Sequence, residues 1–255
     1  MRGGLVVRLK APLERPADFA EVLAGEWGSL RGSELARRPV HLAGEGAVAL
    51  GDLFDMQGEP GGRLRFQGDL AHADRIGAGL QEGEVVVEGD VGRETGLGMS
   101  GGALQVLGDA GPLAGGAVPE ARRGMTGGEL VIHGSAGPEA GIRMRRGLLV
   151  IGRDAGGHAG HGMLAGTVVI FGDAGAQAGV WSKRGSVVAL GPVAIPVTYR
   201  YACTYRPAHL LLLLTRLRAR YGLPVEERHL SGFYRRYSGD LADLGKGEIL
   251  AWTTE

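Results

Sequence analysis

The feature that most constrains this sequence is a repeat of short apolar segments, each closed by a glycine, between residues 44 and 191. This region holds 38 of the 48 glycines in the 255-residue chain. The closing glycines are Gly51, Gly68, Gly89, Gly108, Gly134, Gly152, Gly172 and Gly191, at spacings of 17, 21, 19, 26, 18, 20 and 19 residues. An internal period near 20 residues is typical of a solenoid, in which each unit buries its apolar face against its neighbours. The longest spacing contains an insertion over residues 112–123.

The residues two and four positions before each closing glycine are apolar. Side chains alternate between the two faces of a strand, so we expect each pair to point into a shared core. The pairs are Ala47 and Ala49, Leu64 and Phe66, Val85 and Val87, Leu104 and Val106, Leu130 and Ile132, Leu148 and Val150, Val168 and Ile170, and Val187 and Ala189. A second apolar column is predicted at one corner, formed by Leu80, Met99, Met125, Met144 and Met163.

These periods predict an all-β solenoid, a right-handed parallel β-helix of about eight coils. The six-residue aliphatic period of left-handed acyltransferase helices is absent, and so is the nonapeptide pattern of calcium-binding repeats. We expect three parts: an N-terminal cap over residues 1–43, the β-helix over residues 44–195, and a C-terminal helix with a tail over residues 196–255. The tail part is expected to pack on the β-helix and on partners.

Helix signals occur only outside the repeat. Residues 16–24 and 33–38 are predicted to form short capping helices, with Pro16 in a first helical position. A longer helix is predicted to begin at Pro207 and to end at Gly222. Its apolar stripe consists of Leu210, Leu213, Leu214, Leu217 and Tyr221.

Composition excludes several classes of protein. The chain has 28 basic and 28 acidic residues, so no net charge favours nucleic acid or a membrane surface. A single cysteine, Cys203, cannot form an internal disulfide. The N-terminal residues lack the layout of a signal peptide, and no apolar run is long enough to span a bilayer. We therefore expect a cytoplasmic protein.

The outward strand positions change character along the repeat. Early units carry polar residues there, whereas the late units carry six apolar residues, which are Leu149, Ile151, Val169, Phe171, Val188 and Leu190. An apolar strip of this size is too large to leave in water. We expect the helix after Pro207 to cover part of it and a partner subunit to bind the remainder.

Charge is separated along the chain although it sums to zero. Residues 40–120 contain 13 acidic and 4 basic residues, and residues 200–236 contain 8 basic and 2 acidic residues. Solvated faces would explain this, and so would an anionic ligand or partner at the basic end.

Candidate catalytic and metal-binding groups are few. His158 and His161 are spaced like metal ligands, with His133 one unit earlier. A zinc site would require a third ligand and fixed supporting residues, and small polar residues are ordinary in such a glycine-rich corner. Cys203 has no adjacent histidine and is predicted to be a buried structural thiol. Residues 96–101 match a dinucleotide-binding pattern, which a chain this rich in glycine matches by accident. We assign no catalytic residue and no metal ligand.

Three of the repeat units resemble a known family. The segments GEVVVEGD (83–90), GALQVLGD (102–109) and GTVVIFGD (166–173) resemble the glycine-rich β-helix shared by the glutamate synthase C-terminal domain and the C subunit of formylmethanofuran dehydrogenase. The tail YRRYSGDLADLGKGEIL (234–250) and the opening LGDLF (50–54) are similar to the C-subunit family in particular. The resemblance covers nearly the whole chain.

The resemblance implies a structural subunit whose metal and catalytic residues reside on sister subunits. One version belongs to a formyltransferase/hydrolase complex, which passes a formyl group from formyl-tetrahydromethanopterin to a methanofuran-type carrier and releases formate. The composition, rich in alanine, arginine and glycine and poor in lysine, favours this version. The alternatives are an archaeal tungsten or molybdenum formylmethanofuran dehydrogenase, a glutamate synthase-like accessory domain, and an independent enzyme with a groove along the β-helix.

The resemblance also implies a ligand. Methanofuran-type carriers end in glutamate-rich tails, which are flexible polyanions. Arg143, Arg145 and Arg146 lie within four residues at one predicted corner and are the candidate residues for binding such a tail. Acidic residues on sister subunits or on the early coils of this chain are the alternative partners of these arginines.

Overall fold

The computed structural model describes residues 4–117 and 121–254, so part of the predicted insertion lies outside the described residues. The helices are α1 (Gly32–Leu35), α2 (Leu50–Leu53), α3 (Ala208–Tyr221) and α4 (Glu227–Ser231). The strands are β1 (Leu5–Leu9), β2 (Ala17–Asp18), β3 (Pro39–Leu42), β4 (Gly46–Ala49), β5 (Phe54–Gln57), β6 (Arg63–Gln67), β7 (Ala73–Asp74), β8 (Glu84–Glu88), β9 (Ser100–Val106), β10 (Gly127–Ile132), β11 (Leu148–Ile151), β12 (Thr167–Ile170), β13 (Arg184–Ala189), β14 (Arg200–Tyr205), β15 (Phe233–Gly239) and β16 (Lys246–Thr253). Within these ranges, no helix has the length and apolar character needed to cross a membrane.

The protein is mostly β, and a twelve-stranded sheet dominates it. Strands β1, β6, β8 to β13 and β16 run parallel in that order, and β5, β14 and β15 extend the two ends in antiparallel pairings. We call each parallel strand of this stack, with the corner that follows it, a rung. Equivalent residues of successive rungs lie over one another, as in the column Leu64, Val85, Leu104, Leu130, Leu149, Val168, Val187 and Ile249. All of these side chains are at most 2% exposed. The predicted inward pairs are confirmed for six of the eight units.

The unit closed by Gly152 has the opposite register from the one predicted. Leu149 and Ile151 align with Leu130 and Ile132 and lie in the main core, so they are not outward residues. Leu148 and Val150, predicted to point inward, belong to a second apolar cluster on the other face of the sheet. Gly152 lies one residue before the position that the other closing glycines occupy, and a shift of one residue moves a whole strand's side chains to the other face.

The physical reason for this shift lies in a link between successive rungs. The backbone N–H of Asp109 donates to Oδ1 of Asp90 over 2.7 Å, and the residue before the donor is Gly108. The same link recurs from Ser135 to Asp109 and from Asp173 to Asp154. A Cβ on the glycine before each donor would overlap the carboxylate below it. The rung before Asp154 carries Ser135 at the position where other rungs carry this aspartate. Glycine is therefore not required before Asp154, and Arg153 occupies the position of the closing glycine.

The first predicted unit also differs from the structure. Ala47 and Ala49 lie in β4, which belongs to a separate four-stranded sheet of order β4, β3, β2, β7, and Gly51 lies in α2. The rung before β6 is β1, where Leu5 pairs with Leu64 and Val7 with Phe66. The predicted cap over residues 1–43 therefore contributes a strand to the main sheet.

The corners between strands are as regular as the strands. The predicted corner column of Leu80 and four methionines is confirmed, since each of its side chains is fully buried. At another corner position a non-glycine residue repeatedly adopts φ between 58° and 66°, and these residues are Arg75, Glu94, Leu113, Glu139, His158 and Gln177. The backbone N–H of each of the first five bonds a carbonyl of the following rung. Stacked corners therefore share one backbone conformation.

The helix predictions have mixed outcomes. The helix after Pro207 is confirmed as α3, and it ends at Gly222, which adopts φ of 66°. The predicted helix over residues 16–24 is wrong, because Ala17 and Asp18 pair with β3 and β7 and turns follow them. The predicted helix over residues 33–38 is reduced to the single turn of α1.

The corrected register of β11 can be tested in the isolated chain. Replacing Ile151 with Glu should bury an unpaired carboxylate in the main core and lower the free energy of unfolding by at least about 3 kcal/mol. The same change at Leu212, which is 72% exposed on α3, should leave stability unchanged. Thermal and urea unfolding of both variants measures this. If Ile151→Glu unfolds like the wild type, Ile151 does not lie in the core.

Candidate functional site

The apolar strip predicted to bind a partner is buried by this chain itself. Leu149 and Ile151 lie in the main core, as described above. Val169, Val188 and Leu190 are at most 4% exposed, and Phe171 is partly buried against them. The partner-interface prediction is therefore wrong for the buried residues, since none of their surface remains for a second protein.

The predicted helix α3 covers this face together with the segment that follows it and β15. Leu210, Leu214 and Leu217 of α3 pack against the column formed by Val131, Val150, Val169, Val188 and Leu250. Leu223, Val225 and Tyr234 extend the cover beyond the helix. The helix alone was predicted to leave part of the strip open, but the segment after α3 and β15 close the rest.

A polar cluster fixes the end of α3 to the sheet. Glu129 of β10 accepts a hydrogen bond from the Tyr221 hydroxyl at 2.5 Å, and it pairs with Arg216 and, at 3.8 Å, with Arg220. Arg220 also pairs with Glu84 at 3.1 Å. Burial raises the pKa of Glu129, but the hydrogen bonds from Tyr221 and Arg216 and the positive charges of Arg216 and Arg220 together outweigh it, so the pKa lies below its ordinary value. Glu129 thus anchors α3 to β10 as a carboxylate at pH 7, and Glu84 adds a contact with β8.

This anchor predicts a pH-dependent contribution to stability. Glu129→Gln should lower the free energy of unfolding by about 1.5–3 kcal/mol at pH 7, because charge-assisted hydrogen bonds are lost. The native pKa is lower than the unfolded pKa, near 4.5. The contribution is thus present above that pH and is lost as the pH falls through the native pKa. Urea titrations at pH 7 and pH 4 measure the difference between wild type and variant, which should shrink at the lower pH.

A matched control is available at an exposed pair. Glu45 pairs with Arg15 at 2.9 Å, and both side chains are about half exposed. Glu45→Gln should change stability by less than about 1 kcal/mol at either pH. A pH-independent loss in Glu129→Gln would show that its carboxylate charge does not anchor α3.

The structure places the three candidate arginines together at one corner. Arg143 adopts φ of 54°, is exposed, and donates a hydrogen bond to the carbonyl of Ala121 at 3.2 Å. Its backbone N–H bonds the carbonyl of His161 on the next rung. Arg145 is half-buried and Arg146 is exposed. Among residues 4–117 and 121–254, no carboxylate lies within ion-pair distance of Arg145 or Arg146.

The stacking extends this cluster into a basic stripe. Continuing the register of β11, β12 and β13 places Arg146 in line with Ala165, Arg184 and Lys246. Rungs are about 4.8 Å apart, so Arg184 is roughly 10 Å from Arg146. Glu82 occupies the corresponding position near β8, where the chain is acidic. The late rungs therefore present positive charge along one edge.

The histidines form a pair but not a metal set. The rings of His158 and His161 lie 5.5 Å apart, edge to face. Burial, followed by the neighbouring His158, lowers the pKa of His161. The Nδ1 atom of His161 is buried and has no hydrogen-bond partner among the residues that the structure describes. Within the described parts of the chain, no three His, Cys, Asp or Glu side chains are grouped so that they could hold a metal ion.

Cys203 is exposed, so the prediction of a buried thiol is wrong. It lies in β14, the terminal strand of the large sheet, which pairs only with β15. Sequence could not show this, because the antiparallel return through β15 and β16 lies outside the repeat.

The tail motif has a specific structural role at the end of the sheet. Asp240 is 1% exposed, and its carboxylate accepts hydrogen bonds from the backbone N–H groups of Trp181 and Ala242, at 2.9 and 2.8 Å. Burial raises the pKa of Asp240, but these bonds outweigh it and hold the pKa below its ordinary value. A Cβ at Gly239 would lie 2.6 Å from the Tyr199 ring, so glycine is needed there. The motif docks the tail onto the last corner of the repeat.

Comparison with known proteins decides the family. No family model matches the chain. The C subunit of the formyltransferase/hydrolase complex Fhc from Methylorubrum extorquens is 35% identical over 87 residues, which are 34% of this chain and about a third of that relative's length. A chain in the crystal structure of the complex FhcABCD from Methylorubrum extorquens, with methylofuran bound, superposes with a TM-score of 0.78 and 33% identity. That alignment covers 96% of this chain and 98% of the other.

The chain belongs to the C-subunit family of the formyltransferase/hydrolase complex. Both relatives come from that complex, which favours it over the dehydrogenase version. The tail motif includes Gly239 and Asp240. The carboxylate of Asp240 accepts a hydrogen bond from the backbone N–H of Trp181, which holds the tail against the last corner of the repeat.

One surface of this family member was missed by sequence reasoning. Trp181, Val197, Leu241 and Leu244 are all exposed, from 47% to 86%, although they are large and apolar. They come from three separate segments. Trp181 lies in the last unit of the repeat, whereas Val197, Leu241 and Leu244 lie after it, where no periodic signal remains. Only the folded tail brings them to the same end of the sheet.

Proposed function

We propose that this chain is the non-catalytic, structural C subunit of a formyltransferase/hydrolase complex. In such a complex, a formyl group passes from formyl-tetrahydromethanopterin to a methanofuran-type carrier, and formate is released. The metal and the catalytic residues reside on the sister subunits. These are a metallohydrolase-like subunit, a formyltransferase and a further subunit. The observation that carries the proposal is the end-to-end superposition on a chain of FhcABCD at 33% identity.

We also propose that the repeat winds as a right-handed parallel β-helix. Successive parallel strands are joined by corners that themselves form a bridged row, Leu70, Val91, Ala110, Ala136 and Ala155. Parallel crossover connections are right-handed in about 98% of cases. Residues 1–43 and 196–255 close its two ends. The first segment supplies β1 at one side of the sheet, and the second supplies β14 to β16 at the other.

The contacts within the chain support a scaffold. The main core runs without interruption from Leu5 to Ile249, and α3 seals the second cluster. A column shared by all rungs resists local deformation, because displacing one rung uncovers its neighbours. Such a rigid chain offers fixed surfaces that can hold catalytic subunits in defined positions.

The test is an affinity purification of the tagged full-length chain from its native host, with mass spectrometry of the bound proteins. We expect a metallohydrolase and a formyltransferase in stoichiometric amounts. Recovery of a molybdenum or tungsten protein would instead assign the chain to a formylmethanofuran dehydrogenase. Recovery of glutamate synthase subunits, or of no partner, would sink the proposal.

A ligand role for the arginine corner forms part of the proposal. Arg143, Arg145 and Arg146 would bind the glutamate-rich tail of the carrier, and the stripe continuing to Arg184 and Lys246 supports this. Exposed single ion pairs contribute only about 0–1 kcal/mol, so a tail of several carboxylates requires a row of cations. Binding should weaken with salt, as the Debye length shortens.

This role predicts a selective kinetic effect in the assembled complex. Changing Arg143, Arg145 and Arg146 together to Ser should raise the apparent KM for the glutamylated carrier several-fold. A carrier without the tail should show little change. Arg8→Ser, at the opposite end of the sheet, is the control and should affect neither KM. Equal effects on both carriers, or none on either, would remove this corner from the ligand path.

A further inference from the structure

We infer that the exposed apolar residues at the end of the sheet form the docking surface for a sister subunit whose contact area is apolar at its centre and acidic at its rim. This end surface consists of Trp181, Val197, Leu241 and Leu244. The inference rests on the proposed function, because it assigns one face of the chain to the assembly of that complex.

Hydrogen bonds join the three segments that carry the end surface. The carboxylate of Asp240 accepts the backbone N–H of Trp181 at 2.9 Å, and the backbone N–H of Asp240 bonds the carbonyl of Ser182 at 3.3 Å. The backbone N–H of Leu241 bonds the carbonyl of Thr198 at 3.0 Å, next to Val197. The three contributing segments are thus joined side by side.

The exposure of this patch is unusual for the molecule. Eight large apolar side chains are exposed among the described residues, and four of them form the end surface. Trp181 is 55% exposed and Val197 is 86% exposed. Tryptophan is enriched at the centres of protein interfaces, where it contributes disproportionately to affinity. The backbone around Trp181 is well anchored, so little ordering is needed on binding.

Positive charge surrounds the patch and specifies the partner's chemistry. Lys183 and Arg184 lie two and three residues after Trp181, and Lys246 pairs in register with Arg184. Arg200 donates a hydrogen bond to the carbonyl of Val197 at 2.7 Å. Two acidic residues lie nearby: Asp243 pairs with Lys183 at 3.7 Å, and Asp240 is buried beneath the surface. The rim therefore has a net positive charge and favours an acidic rim on the partner.

This charge argues against a second copy of the chain as the occupant. A two-fold symmetric contact places the same surface patch on both copies. It would bring the cations around Trp181 against themselves, which costs free energy unless anions intervene. The acidic early rungs of another copy would give a head-to-tail contact, which does not close into a dimer.

The test measures binding of the full-length chain to the isolated assembly of its sister subunits. Trp181→Asn and Leu244→Ser should each weaken binding at least tenfold. Asn tolerates the φ of 63° at Trp181, so the fold should persist, which thermal unfolding checks. Leu212→Gln, at an apolar residue on α3 that is even more exposed, is the control and should bind like the wild type.

A second arm tests the charged rim. Arg184→Glu combined with Lys246→Glu should lower the association rate constant at least tenfold at low salt and flatten its salt dependence. An unchanged rate would overturn the acidic character assigned to the partner.

The remaining outcomes separate this inference from the proposed function. If the wild type does not bind the sister subunits, the proposed function fails and the inference fails with it. If the wild type binds and Trp181→Asn and Leu244→Ser bind equally well, only the surface assignment is wrong. If sedimentation shows a wild-type dimer that Trp181→Asn abolishes, the occupant is a second copy, and the sister-subunit assignment is overturned.

Discussion

Every rung of this protein depends on the rung beside it being in the same register. A unit of about 19 residues buries its apolar side chains only when equivalent side chains lie above and below them. The rung-to-rung bonds enforce this register, because an aspartate such as Asp90 reaches the backbone of Asp109 only when Gly108 leaves space for it. Where the aspartate becomes Ser135, the glycine becomes Arg153. The abundant glycine is therefore a consequence of close stacking.

The same constraint decides what the outer face can do. Stacking in register turns one apolar outward position into a column from Val131 to Leu250, which needs a cover. The chain supplies that cover with α3, held by the ionised Glu129. Because its own C-terminal segment seals this face, the face is no longer open to partners. The apolar surface that remains is concentrated around Trp181, where the tail is locked onto the last corner.

Sequence predicted the parts that repeat and failed where the repeat is interrupted. The period, the methionine column and the helix after Pro207 follow from regular spacing and strong end signals. The register at Gly152 could not be read by counting to the nearest glycine, since one residue inverts the faces of a strand. The place of β1 depends on pairing between Leu5 and Leu64, which are distant in sequence. The end surface around Trp181 joins the last unit of the repeat to two segments that follow it and do not repeat.

The central claim is that this chain holds other subunits in place and performs no chemistry itself. Formate release from formyl-tetrahydromethanopterin and a methanofuran-type carrier tests this most directly. It would be measured for the purified chain, for the assembly of its sister subunits, and for their mixture. We predict no turnover by the chain alone, and higher and more stable turnover by the mixture than by the sister subunits. Sustained formate release by the chain alone would contradict the claim.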